Sequence, residues 1–142
     1  NNIFAPLWRF RKDILFDFQA RMDWCVKEYS EANHHPLAKL YGDDGERAIM
    51  KAAVERGTEY EVDASASEDP DGDTLNFRWW IYSEAGTCKK CPLLKNEKSE
   101  VVTISIPEDA QSGDTIHLIL EVFDENEIVS LKSYRRIILE VQ

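Results

Sequence analysis

Three carboxylates, Asp69, Asp71 and Asp73, alternate with Pro70 and Gly72 in Asp69-Pro70-Asp71-Gly72-Asp73. Such spacing puts oxygen ligands on one side of a turn, and Ca²⁺ is a hard cation that prefers oxygen. An EF-hand loop needs Gly at its sixth position and Glu at its twelfth. Counted from Asp69, Gly72 comes too early and Trp80 stands where the Glu should be, so the stretch is not an EF-hand. It reads either as a calcium loop built on Asp69, Asp71 and Asp73 or as a tight turn. The tight turn would use Pro for a fixed φ, Gly for a positive one and Asx hydrogen bonds.

The segment that follows carries a second kind of chemistry. Leu75, Phe77, Trp79 and Ile81 alternate with Asn76, Arg78, Trp80 and Tyr82. Strand side chains alternate between faces, so one row is wholly apolar and belongs in a core. The other row makes Trp80 and Tyr82, with Arg78, candidates for sugar binding, because flat rings with polar edges suit the faces of pyranoses. The plainer reading is that an N-terminal helix covers this row.

Other candidates are weaker. Cys88-Lys89-Lys90-Cys91 is a lone Cys-x-x-Cys without the second ligand pair of a zinc site. Cys88 and Cys91 could form a small loop disulfide, remain free thiols or serve metal or redox chemistry. His34 and His35, near Asp23 and Glu28, have no partner set with metal-ligand or acid–base spacing. Asn33 and His34 are expected to cap a helix and touch the sheet or a neighbouring domain. No nucleophile elbow, phosphate loop or dinucleotide fingerprint occurs, so this chain is not expected to be an enzyme. No cofactor other than calcium is implied.

These residues need elements to hold them. Phe10, Ile14, Phe18, Met22, Cys25, Val26 and Tyr29 recur at spacings of three and four, widened by Leu15. That predicts a helix from Trp8 to Ala32 with this stripe, Cys25 included, buried. It should end at Asn33-His34-His35-Pro36. Trp24 falls off the stripe and is expected to cover a neighbouring domain or the sheet edge. After Gly42-Asp43-Asp44-Gly45 the period changes from helical to alternating. Strands are expected from Ala48 to Val54, around Tyr60 and Val62, and over Leu75–Ser83, Val101–Ile106, Thr115–Phe123 and Ser133–Val141. Residues 84–98 read as a long exposed loop. Short strands separated by turn signals predict a mainly β chain, an immunoglobulin-like antiparallel β-sandwich with an N-terminal α-helical segment. Residues 1–45 form the helical segment and linker, and 46–142 the sandwich.

With 27 acidic residues against 17 basic ones, the net charge is -10 over 142 residues. Phosphate backbones and anionic membrane surfaces want basic clusters, so neither nucleic acid nor a membrane is an expected partner. No apolar run approaches the roughly 18 residues of a membrane helix. The sequence does not begin with Met and reads as an excised fragment or mature product.

The Asp63-to-Trp79 pattern, with Asp-Ala-Ser, Asp-Pro-Asp-Gly-Asp and Phe77-x-Trp79, resembles the PKD and immunoglobulin-like modules of secreted bacterial proteins. Further blocks extend a narrower likeness over nearly the whole chain. They run from Asp17 to Val26, Ala32 to His34, Trp79 to Thr87, Ile116 to Val122 and Tyr134 to Arg136. In these the chain resembles the C-terminal domain of a bacterial cellulose-binding family whose N-terminal domain is nucleoside-hydrolase-like. The resemblance implies a secreted, periplasmic or cell-surface protein acting near polysaccharide. It makes this chain a non-catalytic accessory domain that binds cellulose or a related glycan. The alternative is a structural module packed against the nucleoside-hydrolase-like domain through Trp24, Asn33 and His34. The Cys-x-x-Cys loop departs from the family pattern.

Overall fold

The structure is a computed structural model that describes residues 4–42 and 49–142. Two short helices, α1 (Ala5–Arg9) and α2 (Arg11–Trp24), precede a single 3-10 turn at Tyr29–Glu31. Among the described residues seven strands follow: β1 (Met50–Val54), β2 (Glu59–Asp63), β3 (Leu75–Ile81), β4 (Leu93–Lys95), β5 (Val101–Ser105), β6 (Thr115–Asp124) and β7 (Lys132–Val141). They form two sheets, ordered β1-β7-β6-β3 and β2-β5-β4. All pairings are antiparallel except β1 with β7, where Met50 lies beside Ile137 and Val54 beside Val141. The expected domain boundary at residues 43–45 and the Ala48 start of β1 lie outside the described residues.

The core follows from the alternation. Phe77 and Trp79 of β3, Leu118 and Leu120 of β6, and Ile137 and Leu139 of β7 meet Val62 of β2 and Val102 and Ile104 of β5. Trp79 is only 2% exposed, and its indole N–H donates to the Ser99 carbonyl at 2.9 Å. A buried ring therefore keeps its polar atom satisfied. Each such large side chain contributes about 1.5–3 kcal/mol of burial. The sandwich is the expected one, with one strand added. β4 lies in the segment read as an irregular loop, because three edge residues are too few to show a period.

The helical segment differs more. The expected helix from Trp8 to Ala32 is broken at Phe10 and stops at Trp24. The chain turns back there because Trp24 Nε1 donates to the Asn33 carbonyl at 2.7 Å and Asn33 is itself tied to the sandwich. The buried face is also the opposite of the expected one. Ala20 is buried against Val129 and Leu131, flanked by Phe16 and Trp24. Ile14, Leu15, Phe18, Met22, Val26 and Tyr29 are exposed, as is the Cys25 thiol. The sheet explains the reversal. Towards α2 it presents Lys132 and Tyr134, and these take up Asp13. Lys132 Nζ lies 3.3 Å from Asp13 Oδ1 and the Tyr134 hydroxyl donates to Asp13 Oδ2 at 2.6 Å. Asp17 meets the His35 ring at 2.8 Å.

Candidate functional site

The central strand β6 is buried on both faces, so its outward residues His117, Ile119 and Glu121 lie under a cover. That cover is α2 together with the side chains of β3 and β7. Between helix and sheet runs a cleft of about 600 Å³. Phe10, Trp80, Tyr82, Ile119 and Tyr134 form its apolar lining, and Asp13, Asp17, His35, Lys132 and Arg136 supply polar groups.

β3 places Trp80 on this outer face and the residue just after the strand, Tyr82, beside it, both half-buried. The Trp80 indole N–H donates to Glu121 Oε1 at 2.9 Å, and the Tyr82 ring sits edge-on to Trp80 at 5.7 Å. Arg9 of α1 lies 5.7 Å from the centre of each ring and pairs with Glu84 at 2.8 Å. The helices thus touch the aromatic row without covering it, and both rings line the cleft. Arg78 belongs to the row only loosely. It is exposed and reaches Glu121 at 3.9 Å. Glu121 is nearly buried and is also approached by Lys132 Nζ at 3.5 Å. Across the cleft, Phe10 meets the Tyr134 ring edge-on at 5.7 Å.

Electrostatics keep these groups in fixed states. Burial, reinforced by the Asp13 carboxylate, pushes the Tyr134 phenol far above its usual range, so it remains a donor. The Arg21 guanidinium and the His35 ring hold Asp17 below the usual carboxylate range against some burial. Burial, then the neighbouring Arg136, lowers His117, so its ring is neutral and Nδ1 accepts from Arg136 Nε at 3.1 Å. Asp13, Asp17, Lys132, Tyr134 and Arg136 were not singled out from the sequence as a site. Which side of the helix meets β7 is not visible in the sequence.

The other candidates are placed apart. Asp69 Oδ1 accepts the Asp71 and Asp73 backbone N–H groups at 2.8 and 3.2 Å, Asp71 binds the His34 backbone and ring, and Asp73 Oδ2 accepts from Asn126. Gly72 supplies the positive φ of 81° that this turn requires. Among the described residues no three His, Cys, Asp or Glu side chains are grouped to hold a metal ion. Trp24, Asn33 and His34 are engaged within the chain. His34 stacks between Tyr29 and Trp24 at 3.8 and 5.7 Å, and Asn33 donates to Asp124 and to the Val129 carbonyl. Cys88 and Cys91 are free thiols instead of a disulfide. Cys88 packs on the core and donates to the Lys90 carbonyl at 3.3 Å, whereas Cys91 faces solvent.

The family model described as "Cellulose-binding protein Sde0182, C-terminal domain" matches residues 59–141. The chain belongs to this family. A solved structure of a nucleoside hydrolase-related hypothetical protein from Saccharophagus degradans, associated with carbohydrate metabolism, is 38% identical and superposes with a TM-score of 0.89. The match covers 94% of this chain and 32% of that one, so the chain spans about a third of the length of that relative. The family model begins at β2 and ends in β7, whereas the likeness to the S. degradans protein also takes in most of the helical segment. More distant likenesses, each 12% identical, are an endo-fucoidan hydrolase of glycoside hydrolase family 107 and titin domain M7. The first has a TM-score of 0.46 and covers 75% of this chain and 13% of that one; the second has 0.38, with 78% and 96%. No curated protein matches the sequence.

Proposed function

We propose that this chain is a non-catalytic accessory domain that binds polysaccharide in the cleft between α2 and the outer face of the four-stranded sheet. The observation that carries this reading is the lining. Trp80, Tyr82, Tyr134 and Phe10 converge on about 600 Å³ of space with polar groups at its edges. Flat apolar surfaces with a few placed donors and acceptors recognise sugar rings, and the family is described as cellulose-binding. On this reading the protein works outside the cytoplasm, where such polymers are met. Retention on insoluble cellulose and related glycans tests it, comparing wild type with Trp80→Ala and Tyr82→Ala. Loss of retention in a variant that keeps its circular dichroism spectrum supports the cleft. A wild type retained by no glycan refutes it.

One observation favours a second role beside the first. The outer faces of α1 and α2 expose Leu7, Trp8, Ile14, Leu15, Phe18 and Met22, with Phe18 and Trp8 more than 60% exposed. Contiguous apolar surface of this kind marks an interface. The family is one of C-terminal domains and the S. degradans relative is about three times longer. The face therefore suits a preceding, nucleoside-hydrolase-like domain. Phe18→Ser with Met22→Ser should leave this chain folded yet loosen a protein carrying both domains, read by limited proteolysis between them. An unchanged cleavage pattern would refute the interface.

A further inference from the structure

The charges around the cleft do not all cancel locally. Asp13 is held by Tyr134 and Lys132, and Asp17 by Arg21 and His35. Glu121 takes Trp80, Lys132 and Arg78. Arg136 is different. It stands on the cleft side of β7, directly across from Ile119 on β6. Its Nε and Nη2 both turn to a single acceptor, Nδ1 of the buried His117. That ring is neutral, so it accepts a hydrogen bond without balancing the charge. Among the described residues Arg136 has no carboxylate partner, and its remaining N–H donors have no acceptor.

A half-buried guanidinium in an aromatic-lined cleft, already oriented by a fixed neighbour, is a prepared site for a planar anion. The fork of a guanidinium matches a carboxylate in two parallel hydrogen bonds. Tyr82, Trp80 and Tyr134 line the same cleft and offer surfaces for the ring that would carry such a group. Resting on the reading of the cleft as a saccharide site, we infer that it selects acidic saccharides, with Arg136 pairing with the sugar's carboxylate. His117 is then a positioning residue. It holds the guanidinium towards the cleft and touches no ligand itself.

The test compares two ligands that differ only in the group at issue: a neutral cello-oligosaccharide and the same oligosaccharide oxidised at C6 to the carboxylate. Titration calorimetry on the chain should show the oxidised ligand binding at least about tenfold more tightly, as expected of a charge-assisted pair. The preference should shrink with added salt. Arg136→Gln should abolish the preference, leaving the two ligands bound equally, and Arg136→Lys, which keeps the charge but loses the fork, should keep only part of it. The wild-type comparison stands even should Arg136→Gln fail to fold. Equal affinities in wild type, or a preference that survives in folded Arg136→Gln, would overturn the inference. If the neutral ligand binds and needs Tyr82 while no preference exists, the acidic selectivity falls and the saccharide site stands. If neither ligand binds, both fall. A C6-sulfated ligand bound more tightly than the carboxylate, through the same Arg136, would overturn the assignment to a carboxylate.

Discussion

The Asn33 side-chain amide donates to the Asp124 carboxylate at 2.7 Å across ninety-one positions of sequence. Asp124 ends β6 and is only 1% exposed. Its oxygens also accept the backbone N–H groups of Leu131, at 3.0 and 3.1 Å, and of Asn126, at 3.2 Å. The same Asn33 amide reaches the Val129 carbonyl at 2.8 Å. One side chain thus joins the end of the helical segment to the turn between β6 and β7, and it helps satisfy a buried carboxylate.

Removing that amide leaves the Asp124 carboxylate short of a donor in a buried place. Asn33→Ala is expected to lower stability by about 1–3 kcal/mol. Asn33→Asp should cost more, because it sets a second carboxylate against Asp124. Urea denaturation checks both. An Asn33→Asp variant as stable as wild type would show that this link does not hold the two parts together.

The reversed helix face gives a paired prediction. Phe18 is exposed and Phe16 is packed beside Ala20, Val129 and Leu131. Phe18→Gln should change stability by no more than about 0.5 kcal/mol. Phe16→Gln should lower it by at least about 1 kcal/mol, since it loses buried apolar area. Thermal melts of the two variants decide which face meets the sandwich; equal losses would mean that both faces are covered.

His117 makes stability depend on pH with a definite sign. Its folded pKa is lowered from 6.5 by burial first and by Arg136 second. A depressed pKa contributes stability that is fully present above the unfolded value and is lost as pH falls through the folded one. Wild type should therefore weaken as pH drops below 6.5. His117→Gln, whose amide oxygen can still accept from Arg136, should weaken less over the same interval. Urea midpoints measured at successive pH values test this, and parallel profiles for the two proteins would remove His117 as the cause.

The thiols should react at unequal rates. Cys25 and Cys91 are exposed, whereas Cys88 is half-buried and burial raises its pKa. The thiolate is the reactive form, so Cys88 should alkylate slowest. Mass spectrometry after brief maleimide treatment of the native protein shows the order. Labelling of Cys88 as fast as Cys91 would place its sulfur in solvent.

Much of the sandwich was determined locally. Alternation in β3 named both faces of that strand, and Trp79 followed as the core ring because its neighbours at every second position are apolar. The Asp69–Asp73 turn was legible from Pro70 and Gly72, although its use was not. Tertiary structure decided the helical segment. A broad apolar stripe says that a helix has a face to bury, not which neighbour is available to bury it. The outer sheet face offered Lys132 and Tyr134, so the side of α2 carrying Asp13, Asp17 and Ala20 turned inward and the stripe from Ile14 onward turned out, while Phe10 stayed against Tyr134. The cleft is a product of that same choice. Phe10, Trp80, Tyr134 and Arg136 lie far apart along the chain, and only the packing of α2 on β3, β6 and β7 encloses them around one space.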